Sequence, residues 1–232
     1  MLKCDRLTAY YDAARILFDV SFELDANRSA CLLGRNGVGK TTCLRAIMGL
    51  MAKRSGAVSL EGQPIQTLPA FRIAQLGVGY VPEDRRIFPD LTVEENLQVG
   101  ERRNEGGISW TLERSYAMFP ALHEFRLRQG GYLSGGQQQM LTIARTLMGQ
   151  PKLLLIDEPT EGLSPLIVET LVEAILELKR EGLTMLLAAQ DMQFASQVAD
   201  QIYLMNRGAI VYSGTPDSLK HDTDAVTANL AV

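Results

Sequence analysis

The chain has 232 residues, of which 46% are hydrophobic and 22% charged, and a formal net charge of −4. That length supplies a core for one large α/β domain, and the acidic balance excludes a general nucleic-acid binder, which needs clustered Lys and Arg. Three cysteines, Cys4, Cys31 and Cys43, are too few and too spread for a disulfide framework or a zinc site.

Met1 to Arg6 lacks the apolar stretch of a signal peptide, and no apolar run is long enough to span a bilayer, so a soluble, cytoplasmic chain is expected. Any membrane role would come through partners. The opening segment reads as short strands: Leu17 to Leu24 alternates apolar and polar residues, Asp25 to Arg28 turns, and Ala30-Cys31-Leu32-Leu33 is a continuous apolar run of buried-strand type. This run feeds Gly34-Arg35-Asn36-Gly37-Val38-Gly39-Lys40-Thr41, which fits G-x-x-x-x-G-K-[ST]. Leu44, Ile47, Met48 and Met51 then fall at i, i+3, i+4 and i+7, predicting one packed helix face on which the methionines are core. Gly56 sits between two β-like stretches, and Val58 to Leu60 followed by the Glu61-Gly62 turn predicts a small antiparallel region. Val78 to Pro82 reads as another buried strand.

From Ile87 to Arg145 the texture predicts a mostly helical subdomain, 87–145, inserted in a single domain spanning 1–232. Thr92 and Glu95 have the spacing of a capping box, Asn104 to Gly107 marks a loop, and Ser109 or Thr111 could cap the next helix. Met140, Ile143, Ala144 and Leu147 form one face of a helix that starts at Leu133-Ser134-Gly135-Gly136-Gln137. Beyond it, Leu153 to Ile156 reads as a buried strand ending in Asp157-Glu158, Ile167 to Arg180 as an amphipathic helix, and Thr184 to Ala188 as a further strand. Ile202 to Met205 and Ala209 to Tyr212 flank the Asn206-Arg207-Gly208 turn, and the tail after Pro216 reads as helical before fraying. Strands alternating with helices imply a parallel sheet, hence an α/β fold.

Three motifs carry chemistry. Glycines in the first let backbone amides curl around phosphates at a helix N-terminus, Lys40 neutralises phosphate oxygens, and Thr41 offers a hydroxyl to Mg²⁺, with Thr42 beside it. Asp157 and Glu158 emerge where a parallel sheet binds ligands, Asp157 suited to a magnesium shell and Glu158 to orienting or deprotonating water. Alone, such a pair reads equally as a helix cap. Ser134 to Gln137 offers a hydroxyl, glycine amides and a helix dipole to an anion, or an ordinary capped helix start.

In that order, and across nearly the whole chain, these motifs resemble the ABC-type ATPases, with Leu133 to Gln137 as the signature. The resemblance implies a P-loop NTPase fold with a RecA-like parallel sheet core, a small antiparallel β region and a helical subdomain. It implies ATP and Mg²⁺ as cofactors and a head-to-tail dimer with a second ATPase subunit, a non-identical relative or a second copy. Each ATP would lie between one subunit's phosphate loop and the other's Ser134, Gly135, Gly136 and Gln137. Two membrane permeases and, indirectly, a solute-binding protein are the further partners implied, with the chain peripheral on the inner face of the cell membrane. Ribosome- or DNA-acting relatives usually fuse two ATPase domains or carry long coiled coils, and neither is found here. A regulatory subunit without turnover is opposed by the intact Glu158.

Position by position, Tyr11 rather than Tyr10 resembles the residue that stacks on adenine. Glu83 stands where the family usually has a Gln that senses the γ-phosphate, adding charge near the metal, and Gln190 stands where most relatives have the switch His. Ser164 replaces a usual Asp, and Asn27-Arg28 a common Gly-Glu turn. Val81-Pro82-Glu83, Arg85 to Pro89, Leu91 to Leu97, Thr160 to Leu163 and Gln190 resemble the ATPases of branched-chain amino-acid uptake. The phosphate loop and Ser134 to Gln139 lean toward the related urea and short-amide branch.

Overall fold

The computed structural model describes residues 1–102 and 109–222. Its elements run β1 (Leu2–Tyr11), β2 (Ala14–Leu24), β3 (Ser29–Leu33), α1 (Lys40–Ile47), β4 (Lys53–Leu60), β5 (Gln63–Pro64), α2 (Ala70–Gln75), β6 (Val78–Val81), α3 (Val93–Gly100), α4 (Leu112–Met118), α5 (Pro120–Glu124) and α6 (Gly135–Met148). They continue as β7 (Leu153–Asp157), α7 (Pro165–Arg180), β8 (Thr184–Ala189), α8 (Met192–Val198), β9 (Gln201–Asn206), β10 (Ala209–Gly214) and α9 (Pro216–His221).

Two sheets form, in the orders β2-β1-β4-β5 and β10-β9-β3-β8-β7-β6. The first is antiparallel; in the second, only the β9–β10 pairing is antiparallel. This is the expected α/β architecture with a small antiparallel region. Side-chain alternation along the parallel strands divides the interior in two. Ala30, Leu32, Leu153, Leu155, Leu186 and Ala188 face α1 and the antiparallel sheet, whereas Cys31, Leu33, Leu154, Ile156, Leu187 and Ala189 join the core containing α6, α7 and α8 residues. Because both faces are covered, β3, β7 and β8 are buried at every position, as continuous apolar runs predict.

Several local expectations are corrected. The opening strands are long, ten and eleven residues, because bulges absorb breaks in their alternation; Arg6 and Asp19 take positive φ there. Gly56 lies within β4 rather than between two strands. Its φ of +93° and a would-be Cβ only 2.3 Å from the Arg6 carbonyl oxygen make glycine the residue for that bulge. Helix α1 stops at Ile47, so Met51 is buried from the following loop rather than from the helix.

The region 87–145 holds α3, α4, α5 and most of α6, with non-helical chain at 87–91 and 125–129. Position 145 falls inside α6, which runs to Met148 and packs with β6. Val93, Leu97, Phe119 and Leu122 share one buried cluster with Leu154 and Ile156 of the sheet. Thr92 and Glu95 form their capping box, and Thr111, not Ser109, caps α4. The loop expected at Asn104 to Gly107 and the fraying end beyond Asp222 lie outside the described residues.

Candidate functional site

The chemistry-bearing residues converge at the carboxyl edge of the parallel sheet. β3 lies between β9 and β8, with Leu33 opposite Ala189, and β7 pairs with β8 so that Asp157 is opposite Ala188. This register brings the turn after β3 level with the ends of β7 and β8. Backbone bonds pin it: the Gly34 amide donates to the Ala189 carbonyl at 3.2 Å and the Glu158 amide to the Ala188 carbonyl at 3.0 Å. Gly39 precedes α1 with φ +110°, a conformation that lets the loop curl directly into the helix. The Gly208 amide, in the β9–β10 turn, donates to the Val38 carbonyl at 2.8 Å and braces the loop from behind.

Inside the loop, Lys40 is only 3% exposed. Its Nζ donates to the carbonyls of Gly34 at 2.6 Å and Arg35 at 3.0 Å and lies 2.9 Å from Glu158 Oε1. That carboxylate oxygen is buried, and although the contact is close enough for an ion pair it is not aligned as a hydrogen bond. Burial raises the Glu158 pKa above the ordinary carboxylate value, while Lys40 pulls it down. The result is a shielded carboxylate with unused acceptor capacity. Thr41 Oγ1 donates to Asp157 Oδ1 at 2.9 Å, and the Tyr80 hydroxyl donates to Oδ2 at 3.0 Å. Asp157 is fully buried, and that burial raises its pKa against the pull of both hydrogen bonds.

A cavity of about 430 Å³ is lined by Tyr11, Ile16, Asn36, Gly37, Gly39, Lys40, Thr41, Thr42, Glu83, Glu158 and Glu161. Tyr11 is 43% exposed, with its hydroxyl 3.4 Å from an Arg45 guanidinium nitrogen, so its ring is open for stacking. Tyr10 instead meets Lys53, whose ammonium lies 4.3 Å from the ring centroid. Burial, then the neighbouring Glu161 and Asp157, raise the Glu83 pKa, which matches an acidic group crowded among others. Gln190 lines a larger adjoining cavity of about 1200 Å³ that shares Glu158 and Glu161 with the first.

The donor set fits Mg²⁺: a hydroxyl and a buried carboxylate, hard oxygen ligands already 2.9 Å apart. Among the described residues no three His, Cys, Asp or Glu side chains gather to hold a metal by themselves. A magnesium ion here would be completed by phosphate oxygens and water, its usual arrangement at nucleotide sites.

Ser134, Gly135, Gly136 and Gln137 line neither cavity. They begin α6 with a capping box in which Ser134 Oγ accepts from the Gln137 amide and Gln137 Oε1 accepts from the Ser134 amide. The Ser134 hydroxyl keeps its own proton for donation. A would-be Cβ on Gly135 lies 2.7 Å from an Arg85 guanidinium nitrogen, so a cation flanks this turn. Tyr80, Ile16, Arg45 and Glu161 join the site without a role that the sequence motifs assign. For Tyr80 the available signal is an aromatic residue near the end of a buried strand; Glu161 stands within the Thr160 to Leu163 stretch that carries the resemblance, without a role of its own, and no motif singles out Ile16 or Arg45.

The sequence matches the ABC transporter family over residues 17–161. It is 39% identical over 94% of both chains to the high-affinity branched-chain amino acid transport ATP-binding protein BraG of Pseudomonas aeruginosa. It is 37% identical, again over 94% of both chains, to the probable branched-chain amino acid transport ATP-binding protein LivF of Archaeoglobus fulgidus. The lipopolysaccharide export system ATP-binding protein LptB of Haemophilus influenzae is 32% identical over 96% of this chain and 93% of its own. Among solved structures, a nucleotide-free ATP-binding cassette from an ABC transporter superposes with a TM-score of 0.82 at 24% identity, covering 97% of each chain.

Proposed function

The chain belongs to the ABC transporter family, and from that premise we propose that it is the ATP-hydrolysing subunit of a binding-protein-dependent importer of branched-chain amino acids. The observation that carries the reading is the junction of Lys40 with Glu158 and of Thr41 with Asp157 at one sheet edge. The choice of solute is supported by the greater identity to BraG and LivF, 39% and 37%, than to LptB at 32%.

In this reading Lys40 exchanges the Glu158 carboxylate for phosphate oxygens, and the amides of Gly37 to Thr41 close around them. Tyr11 stacks on the base. Thr41 and Asp157 would hold Mg²⁺, which would supply positive charge to offset the negative charge developing on the phosphate oxygens. Glu158, released from its ion pair, orients the attacking water and takes its proton as the oxygen joins the γ-phosphorus and ADP leaves. Gln190 donates an amide hydrogen bond at the γ-phosphate in place of a charged imidazole, and Glu83 adds a carboxylate beside the metal.

Ser134, Gly135, Gly136 and Gln137 act on the nucleotide of a second ATPase subunit, a non-identical relative or another copy. No helix among the described residues is long and apolar enough to cross a membrane. Membrane attachment on the inner face therefore comes through two permease subunits, which receive solute from a binding protein. ATP-driven closure of the dimer biases the permeases between their two states.

The test is uptake and ATP hydrolysis by the reconstituted complex in proteoliposomes. Wild type should import leucine, isoleucine or valine with ATP turnover. Glu158→Gln should lower turnover at least ~100-fold, the usual size of a general-base effect, and keep nucleotide binding. An unchanged turnover sinks the role of Glu158, and transport of urea, short amides or a lipid instead sinks the solute.

A further inference from the structure

Tyr80 belongs to no phosphate-loop, acidic-pair or signature motif, yet its hydroxyl reaches into the site. β6 pairs with β7 in parallel, with Tyr80 opposite Leu155. Asp157 lies two residues beyond Leu155, so alternation places Tyr80, Leu155 and Asp157 on one face of the sheet. That is the α1 face: Tyr80 and Leu155 pack in the core that includes Cys43, Leu44 and Ile47. The carboxylate of Asp157 therefore sits between α1, which contributes Thr41, and β6, which contributes Tyr80. Each donor takes one carboxylate oxygen, at 2.9 and 3.0 Å.

A fully buried carboxylate held at one oxygen only could still turn about its Cβ–Cγ bond. Held at both, it presents a fixed edge. The two donors are not equivalent, because the Thr41 oxygen is itself suited to bind metal, whereas the Tyr80 hydroxyl meets only the carboxylate. Tyr80 can hold Asp157 equally before and after an ion arrives. The Tyr80 side chain is half-buried, and Asp157 is the hydrogen-bond partner that its hydroxyl has.

We propose that Tyr80 is a positioning residue for the magnesium site, fixing the Asp157 carboxylate through Oδ2 so that Oδ1 and Thr41 face the metal in one geometry. This rests on the reading that a metal–nucleotide complex binds at Thr41 and Asp157. Partners that orient metal ligands from behind typically change metal affinity by roughly 10–100-fold when removed.

The experiment compares the full-length wild type with Tyr80→Phe, which keeps the ring and deletes the hydroxyl. Mn²⁺ binding to the ADP-loaded protein is followed by electron paramagnetic resonance. ADP affinity in excess EDTA and the melting temperature are measured on the same samples. Tyr80→Phe should bind Mn²⁺ roughly 10-fold more weakly, with ADP affinity in EDTA unchanged and the melting temperature lowered by no more than about 2–4 °C, the shift for one lost hydrogen bond in a domain of this size. Unaltered Mn²⁺ affinity overturns the proposal. So does a parallel loss of metal-free ADP affinity and a larger fall in melting temperature, which would mark Tyr80 as packing alone. If the wild type itself shows no Mn²⁺ binding with ADP, the metal-site reading fails and takes the Tyr80 role with it.

Discussion

The phosphate loop and the signature turn are both glycine-rich entries into a helix, and they are finished in opposite ways. Around the loop the chain supplies every partner: Lys40 is buried against two carbonyls and Glu158, and Thr41 is bonded to Asp157. At the signature the chain supplies only a cap. Ser134 is exposed, and its hydrogen bonds return to Gln137 within the same turn. Uncovered apolar side chains stand nearby in sequence and packing. Tyr132 is 76% exposed, and so is Leu166 at 71%, beside the Ile167 that packs on Gly136. On the proposed function, nucleotide capture would be completed by one chain, whereas Ser134 to Gln137 would be a half-site for a second subunit.

The sharpest way to break that contrast is Lys40→Ala. It removes the cation at the heart of the completed half, and charge-assisted hydrogen bonds are each worth roughly 1.5–3 kcal/mol. The isolated chain should lose about 100-fold in ATP affinity, readable by equilibrium dialysis or fluorescent-nucleotide titration. An affinity within a factor of two of wild type would mean that Lys40 is a structural plug in the loop and not a phosphate ligand.

A smaller effect is expected at the signature, and a second capping box provides its control. Ser134→Ala and Thr92→Ala each remove an N-cap hydroxyl that accepts from the third helical amide. Each should cost about 1 kcal/mol of stability, the usual value for such a cap. Only Ser134→Ala should also lower ATP hydrolysis by the assembled complex, by roughly 10-fold, the scale of one hydrogen bond to a phosphate oxygen. Neither should alter ATP affinity of the isolated chain. Equal hydrolysis losses in the two variants would show that helix stability, not a bond to phosphate, is what Ser134 contributes.

What could be read in advance follows the same division. The phosphate loop is legible because its eight residues are contiguous and lie between a buried strand and a helix. The tie between Tyr80 and Asp157 is not, since it joins residues 77 apart through a strand register that no local pattern encodes. The long opening strands are obscured because bulges at Arg6 and Asp19 break the period-two alternation on which strand recognition depends. Met51 reads as helical because burial from a loop and burial from a helix leave the same apolar residue in the sequence. The Ser134 cap is visible as one of two readings, and the structure bears out the cap, while the anion-binding reading stays a proposal compatible with it.

The smallest effect tests how the completed half is anchored at the far end of its strand. Asp200 accepts from the Ser29 amide at 3.0 Å and pairs with Lys179 at 2.9 Å, and its own amide donates to the Ser29 carbonyl at 2.8 Å. Ser29 begins β3, the strand that delivers the phosphate loop. Partial burial works to raise the Asp200 pKa, but the Lys179 and Ser29 interactions together outweigh it and leave it below 3.8. A carboxylate with a depressed folded-state pKa adds stability that is fully present above its unfolded value and is lost as pH falls through the folded one. Asp200→Asn should therefore cost about 1 kcal/mol at neutral pH, the scale of a partly exposed ion pair. The wild-type advantage should shrink progressively as pH falls out of the ordinary aspartate range and through the depressed folded-state pKa. Paired denaturant titrations at pH 7 and at pH 3 measure it. Because the loop's own contacts lie at the other end of β3, ATP affinity should stay unchanged. A loss of affinity together with stability would mean that the phosphate loop depends on the sheet behind it, and that its completeness is not local.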